Sequence, residues 1–187
     1  LGVHAFRDCK SLIEIEIPKS LEEVVSFSGS GPSGGPFCNS GLTSVTFEAG
    51  TDRVVGNLFH YAEKLENVAL LDTMTTIGDN AFYECKSLRE IKLLNKLTAI
   101  GAEAFEDCTA LESIDIPDTV TVIGTFAFDG CTNLSDVSLS KNLQKLGVHA
   151  FRDCKSLIEI EIPKSLEEVV SFSGSGPSGG PFCNSGL

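Results

Sequence analysis

Apolar and polar residues alternate over short stretches that recur at a nearly constant interval along the chain. In the stretch that starts at Leu111, the apolar Leu111, Ile114 and Ile116 are separated by the polar Ser113 and Asp115. This alternation has the period of a β-strand, with apolar side chains on one face and polar ones on the other. Similar stretches start at Leu12, Leu42, Leu65, Leu88, Leu134 and Leu157. The pattern predicts a row of short parallel strands, one in each repeat.

The interval between these leucines is that of a solenoid repeat. Successive leucines are 23 residues apart, except that 30 residues separate Leu42 and Leu187 from the leucine before them. A fixed period in the low twenties is typical of proteins in which each repeat forms one coil stacked on its neighbours. A longer repeat is also present, because residues 1–42 are identical to residues 146–187 at an offset of 145. We therefore expect one solenoid domain over 1–187, part of a longer array of 145-residue super-repeats.

A second recurring segment, AF-x-x-C, lies between the strands. Ala104, Phe105 and Cys108 have the spacing of residues that share one face of a helical turn. The sequence therefore predicts one or two short helical turns per coil on the side opposite the sheet. The phenylalanines expected to stack in a column are Phe6, Phe82, Phe105, Phe128 and Phe151. The glycines before this segment fit a close approach of neighbouring backbones; they are Gly78, Gly101, Gly124 and Gly147.

Most of the cysteines occupy one position of the AF-x-x-C segment. They are Cys9, Cys85, Cys108, Cys131 and Cys154. In another coil Ala62 takes this position, and alternation with alanine indicates a small packed side chain. The sequence predicts a ladder of free, buried thiols. Because no C-x-x-C or paired-histidine spacing occurs, we expect no zinc site, and we expect no cofactor.

The combined pattern, IG-x-x-AF-x-x-C-x-x-L-x-x-I-x-IP, resembles the BspA-like, or treponemal-type, leucine-rich repeats. The similarity is close from Ile77 to Pro163 and looser in the coils from Leu42 and Leu65, which contain PFCNSGL and LFHYAEKL. The resemblance implies an α/β fold, a right-handed leucine-rich-repeat solenoid of 23-residue coils with a parallel sheet on one face and short helical turns on the other. It also implies an extracellular or cell-surface location, because such proteins are commonly bacterial or protist surface proteins, some of which bind host matrix proteins or other cells.

The net charge of the chain narrows the classes of partner. A net charge of −12 and a pI near 4.6 argue against nucleic acid and anionic membrane surfaces, both of which need a basic face. No apolar run approaches the roughly 20 residues that span a bilayer, so we expect no membrane insertion in this segment.

A glycine-rich stretch from 29 to 36 contains G-x-G-x-x-G at Gly29, Gly31 and Gly34. A proline and a repeat strand follow it, whereas a phosphate site needs a helix N-terminus at that point. The stretch, which recurs at 174–181, is therefore interpreted as a flexible loop, with a hinge or an interaction point as alternatives.

Catalysis is not expected from the sequence. The histidines are His4, His60 and His149, and neither an H-E-x-x-H motif nor a Ser/His/Asp set can be assembled from the spacing. His60, next to Tyr61, is expected at the surface.

The outward-facing strand positions are the best candidates for binding a partner, because solenoids use such faces for recognition. The candidate residues are Glu14, Glu16, Asn67, Glu90, Lys92, Ser113, Asp115, Asp136, Ser138, Glu159 and Glu161. The simplest alternative is a solvated sheet face without a partner. Binding of Ca²⁺ between carboxylates is also open, although no calcium-loop motif is present.

Two functions fit these observations. The first is a non-catalytic adhesion or interaction module whose strand face binds a protein, either a host matrix protein or another cell-surface protein. The second is a structural array in which super-repeats form a spacer or filament by end-to-end self-association. The identity of residues 1–42 and 146–187 favours the second function.

Overall fold

The computed structural model of the chain describes residues 1–2, 4–24, 34–170 and 180–187. Gly29, Gly31 and most of both glycine-rich stretches lie outside the described residues, so neither the phosphate-loop nor the hinge interpretation is tested there.

The scaffold is a solenoid of short strands that pair in parallel with the equivalent strands of neighbouring coils. The strands are β1 (Glu14–Ile17), β2 (Ser44–Phe47), β3 (Arg53–Val54), β4 (Asn67–Val68), β5 (Thr76–Ile77), β6 (Ala99–Ile100), β7 (Ser113–Asp115), β8 (Val122–Ile123), β9 (Asp136–Ser138), β10 (Lys145–Gly147) and β11 (Glu168–Val170).

Five of the strands expected from the alternating pattern form one face of the solenoid, whereas the stretches after Leu88 and Leu157 contain no strand, contrary to the prediction. β1, β2 and β4 pair in that order, and β7 pairs with β9. In the coil from Leu111, the side chains of Leu111, Ile114 and Ile116 are buried, whereas Ser113 and Asp115 are exposed. The predicted division into inward and outward side chains is therefore confirmed.

A second parallel sheet, absent from the prediction, is built from the L-x-x-IG part of each coil. Its strand order is β11-β10-β8-β6-β5-β3. Ile77 pairs with Ile100, and Ile100 pairs with Ile123, each a step of 23 residues. The glycine after this strand allows the coils to approach closely, because a Cβ on Gly147 would lie only 2.2 Å from the backbone nitrogen of Thr125.

The AF-x-x-C segments form consecutive turns, and the described residues contain none of the predicted helical turns. In the coil of Phe82, both Asn80 (φ 55°) and Glu84 (φ 54°) are left-handed, and such residues interrupt a right-handed helix. The amides of Asn80, Phe82 and Glu84 instead donate to carbonyl oxygens of the next coil at 2.8–2.9 Å. Backbone groups that a helix would pair internally therefore join one coil to the next. We call the stack of these segments the turn ladder.

The phenylalanine column is confirmed and is longer than predicted. Rings stack without a break from Phe6 to Phe182, with centroids 5.1–5.6 Å apart. Phe37 and Phe59, from the coils that follow the pattern loosely, belong to it as well. Because each inner ring is fully buried between two others, the column forms the centre of the core.

The thiol ladder is confirmed for Cys85, Cys108, Cys131 and Cys154, which are free and fully buried. The Sγ of Cys108 donates to the carbonyl oxygen of Phe82 in the preceding coil at 3.1 Å, and the other three make the equivalent bond. Burial raises the pKa of these thiols, which keeps them protonated as donors. The prediction is wrong for Cys9, which is exposed because no described coil covers its N-terminal side.

Replacing Cys108 with alanine is expected to lower the free energy of unfolding by about 1–2 kcal/mol, measured by urea denaturation. The variant loses one hydrogen bond and the packing of one sulfur atom, and Ala62 shows that alanine fits this position. The matched variant Cys9→Ala removes an exposed thiol and should change the free energy by less than about 0.5 kcal/mol. Equal effects of the two substitutions would contradict a structural role for the ladder.

Candidate functional site

The predicted binding residues lie together on one surface, the strand face. We define it as the outward side chains of β1, β2, β4, β7 and β9 with the equivalent positions of 89–92 and 158–161. All the candidate residues named from the sequence are exposed there. The register places Glu14 beside Ser44, and Ser113 beside Asp136. In these pairs each carboxylate therefore has a hydroxyl neighbour on the adjacent strand, which limits repulsion between like charges.

The carboxylates of the strand face have no cationic partner within the described residues. Glu14, Glu16, Glu90, Asp115, Asp136, Glu159 and Glu161 are absent from all ion pairs in this part of the chain. Some carboxylates elsewhere are paired, as Glu168 is with Lys145 at 3.1 Å. Near the candidate residues Arg89 is itself paired with Glu112, at 3.3 Å. The strand face therefore keeps an uncompensated negative charge.

Two shallow, open depressions follow the strand face. One, of about 540 Å³, is lined by residues that include Asn67, Glu90 and Lys92. The other, of about 700 Å³, lies between the stretches 135–138 and 158–161. Shallow, open surfaces of this kind suit an extended protein partner better than an enclosed small molecule. The described residues contain no group of three or more His, Cys, Asp or Glu side chains that could hold a metal ion.

One apolar side chain of this surface was not identified from the sequence. Ile158 is 75% exposed, and its counterpart in the first copy, Ile13, is 54% exposed. Both occupy the outward position directly after the first leucine, where other coils have Glu66, Arg89 or Glu112. The sequence feature that could have identified Ile158 is an isoleucine at a position that is polar in the other coils. Ile158 gives the acidic surface an apolar contact point.

A second group of carboxylates lies on the turn ladder. Burial raises the pKa of Glu106 to about 8, with further contributions from the negative charges of Asp129, Glu103 and Asp107. The positive charge of Arg152 lowers the pKa of Glu106. Arg152 also forms an ion pair with Asp129 through Nε and Nη2. Asp129 is only 3% exposed, so this ion pair joins a buried carboxylate to a partly exposed guanidinium.

The stability of the chain is expected to fall as the pH rises from about 4.5 to about 8, because the folded state binds a proton at Glu106 more tightly than the unfolded state. The variant Glu106→Gln should flatten this part of the pH profile of the urea midpoint. Glu90→Gln, on the exposed strand face, is the matched control and should leave the profile as it is. A Glu106→Gln profile that parallels the unsubstituted protein would contradict the assignment.

His60 was expected at the surface, but the structure places it half-buried on the turn ladder. None of the described segments forms a helix long and apolar enough to cross a bilayer.

Comparison with known proteins agrees with this geometry. The sequence profile of the BspA type leucine-rich repeat region matches residues 1–53 and 52–173, in six copies. The comparison with curated proteins gives no match.

Three solved structures share the fold. A leucine-rich repeat protein from Bacteroides ovatus is 27% identical with a TM-score of 0.67, and the match covers 83% of this chain and 41% of that one. The T. pallidum leucine-rich repeat protein is 26% identical with a TM-score of 0.67, over 81% of this chain and 76% of that one. A leucine-rich repeat protein from Eubacterium ventriosum is 22% identical with a TM-score of 0.53, over 93% and 59%. The chain thus spans about two fifths of the B. ovatus protein.

Proposed function

Because the chain belongs to the BspA-type leucine-rich repeat family, we propose that it is a non-catalytic interaction module that binds a protein partner through its strand face. A leucine-rich repeat solenoid is a fold suited to protein interaction or to repetition, since stacked coils present a long continuous surface. The finer assignment, adhesion outside the cell to a matrix protein or another surface protein, rests on the family resemblance.

The observation that carries the proposal is the set of unpaired carboxylates on the strand face. A carboxylate that forms an ion pair within its own chain attracts a cationic partner less strongly than an unpaired carboxylate does. Glu159 and Glu161 are exposed, have no ion pair among the described residues, and flank the depression that contains Ile158. A partner with lysine or arginine around an apolar side chain would complement this surface in charge and in polarity.

Reversing the charge of the strand face tests the proposal. The double variant Glu159→Lys with Glu161→Lys is expected to weaken binding to immobilised extracellular-matrix proteins at least about tenfold, measured by surface plasmon resonance at several salt concentrations. Both side chains are exposed, so the unfolding free energy should change by less than about 1 kcal/mol.

The matched control is Glu22→Lys with Glu23→Lys. It makes the same change in net charge at exposed positions outside the strand face. Equal loss of binding in both double variants would show that the loss depends on net charge and not on the position of the carboxylates. That result would overturn the assignment of the strand face.

A structural array is the second candidate function, and one observation favours it. In the second sheet and in the phenylalanine column, the stacking of coils continues into the second copy of the 42-residue segment. β8 pairs with β10 in the same 23-residue step as the preceding pairs, and the ring of Phe128 is 5.1 Å from that of Phe151. If the chain stacks end to end, sedimentation at rising concentration should show linear oligomers. Phe182→Asp should remove these oligomers, and the strand-face variants should retain them.

A further inference from the structure

A cluster of aromatic side chains lies on the turn ladder, separate from the strand face. The chain has two tyrosines and no tryptophan, and both tyrosines belong to this cluster. The ring centroid of His60 is 4.6 Å from that of Tyr61 and 4.5 Å from that of Tyr83, and the two tyrosine rings are 5.6 Å apart. All three side chains are half-buried, in contrast to the fully buried inner rings of the phenylalanine column.

The cluster departs from the residue types that the repeat uses at these positions. The two positions after the column phenylalanine are mostly charged or small in later coils: Glu106 and Asp107, Asp129 and Gly130, Arg152 and Asp153. The second position is left-handed in every one of these coils, a conformation that Asp, Asn and Gly tolerate best. Tyr61 adopts it with φ 61°, although it is large and aromatic. The left-handed backbone belongs to the repeat, so the unusual feature of this coil is the aromatic side chain at that position.

Charged side chains border the aromatic cluster. The Nζ of Lys86 lies 2.8 Å from Glu84 and 2.9 Å from Glu63. Burial raises the pKa of Tyr61, and the charge of Glu84 and a hydrogen bond to its carboxylate raise it further. Burial also lowers the pKa of His60 to about 4. All three rings are therefore uncharged near neutral pH and are bordered by fixed hydrogen-bonding groups.

The backbone of the preceding coil packs closely against this region at Gly34 and Gly35. A Cβ added to Gly34 would lie 3.4 Å from Cδ2 of Tyr61, and one added to Gly35 would lie 2.3 Å from the carbonyl oxygen of Asn57. Glycine at both positions lets this backbone pack closely against the coil of Tyr61. The packing fixes the position of the cluster, while His60, Tyr61 and Tyr83 remain partly exposed.

We propose that this aromatic cluster is a carbohydrate-binding site, in which a pyranose ring stacks on the tyrosines and its hydroxyl groups bond to Glu63 and Glu84. The C–H face of a pyranose is apolar and packs on an aromatic ring, while hydroxyl groups project around its edge and need planar acceptors and donors. A proline-rich peptide also stacks on tyrosine, but it offers few donors to a border of carboxylates. The polar border therefore favours the sugar.

The natural fluorescence of the chain reports on this site alone, because it contains no tryptophan and both tyrosines lie in the cluster. Titration with hexasaccharides of glucose, N-acetylglucosamine, mannose and galactose is expected to give a saturable change of tyrosine emission with at least one of them. Tyr61→Asn should weaken that binding about tenfold or more while Tyr83 still reports. Asparagine suits the position, since Asn39 occupies it in the preceding coil with φ 54°.

The matched control is Asp107→Asn, a substitution at the equivalent position outside the cluster, which should keep the affinity within about twofold. The strand-face variant Glu159→Lys with Glu161→Lys should bind the sugar normally. Sugar binding at the cluster can therefore be tested separately from protein binding at the strand face. The proposal is overturned if none of the four hexasaccharides changes the emission at millimolar concentration, if decaproline alone does so, or if Tyr61→Asn binds as tightly as the unsubstituted chain.

Discussion

Replacing Phe105 with alanine is expected to lower the free energy of unfolding by about 3–5 kcal/mol. The ring is completely buried and stacks on Phe82 and Phe128, with both centroids 5.2 Å away. Alanine removes the apolar transfer free energy of the ring and leaves a cavity in the middle of the column. Backbone hydrogen bonds of the turn ladder hold the neighbouring coils at fixed spacing, so the cavity cannot close by collapse.

Urea denaturation followed by circular dichroism measures this loss. Phe6→Ala is the matched control in the same column, where the ring is half-buried and, among the described residues, stacks only on Phe37. We expect about half the loss or less for this control, because a smaller apolar area becomes exposed. A loss below about 1 kcal/mol for Phe105→Ala would show that the column is not the centre of the core.

In a solenoid the effect of Phe105→Ala should also be local. Each coil contacts only its neighbours, so stability is close to a sum of coil and interface contributions. Amide hydrogen exchange is expected to accelerate most in the coils of Phe82, Phe105 and Phe128, and least near Val45. Uniform acceleration over the described residues would instead indicate one cooperative unit.

The inward and outward positions of the strand face and the apolar core could be predicted because they depend on a period. Alternation over Leu111–Ile116 requires only that one face of the strand be buried, and the 23-residue step brings equivalent residues together whatever the details of the turns. The phenylalanine column followed for the same reason. Phe37 and Phe59 were missed because their coils replace the alanine before phenylalanine with proline and leucine, which hides the motif but not the packing.

The turn ladder could not be predicted from spacing alone. Ala104, Phe105 and Cys108 share one face in a helical turn, but consecutive turns with left-handed residues at Glu103 and Asp107 orient them equally well. The choice depends on where the amides find acceptors. Stacking supplies carbonyl oxygens in the next coil, and this interaction between coils outweighs the local helical preference.

The composition of the candidate site was also only partly predictable. Exposure of the strand-face carboxylates follows from the alternation, but their lack of ion pairs depends on which side chains of adjacent coils meet. The cluster of His60, Tyr61 and Tyr83 also depends on contacts between coils. Tyr61 and Tyr83 are 22 residues apart and therefore lie in adjacent coils. Contacts between coils must be seen before such clusters can be identified.

Replacing Arg152 with methionine is expected to cost about 3 kcal/mol of unfolding free energy at neutral pH. Arg152 Nε donates to Asp129 Oδ1 at 2.9 Å, a second bond joins Nη2 to Oδ2, and the guanidinium lies 5.0 Å from the centroid of the Phe126 ring. Methionine fills much of the same volume but leaves the carboxylate of Asp129 buried without its cation. The estimate is at the lower end of the range for buried pairs because the Arg152 side chain is 32% exposed.

The pH dependence of this loss distinguishes an unpaired charge from lost packing. Burial already raises the pKa of Asp129, and Arg152 opposes that rise, so removal of Arg152 raises the pKa further. In the variant, the pKa of Asp129 is higher in the folded state than in the unfolded state. Ionised Asp129 therefore destabilises the folded state at neutral and alkaline pH. This destabilisation disappears as the pH falls and Asp129 is protonated. The difference between Arg152→Met and the unsubstituted chain should therefore shrink in acid. Adding Asp129→Asn to Arg152→Met should recover part of the lost unfolding free energy at neutral pH.

The first copy of the repeated segment provides a control within the same chain. Arg7 has the same sequence neighbours as Arg152, but within the described residues its guanidinium forms an ion pair with the exposed Asp8, at 3.5 Å, and contacts His4. Because an exposed pair contributes little, Arg7→Met should cost less than about 1 kcal/mol. If the two substitutions have equal effects, the contribution of Arg152 comes from its local sequence and not from Asp129. A large loss at Arg152 alone would show that identical segments differ in stability according to the coil that precedes them.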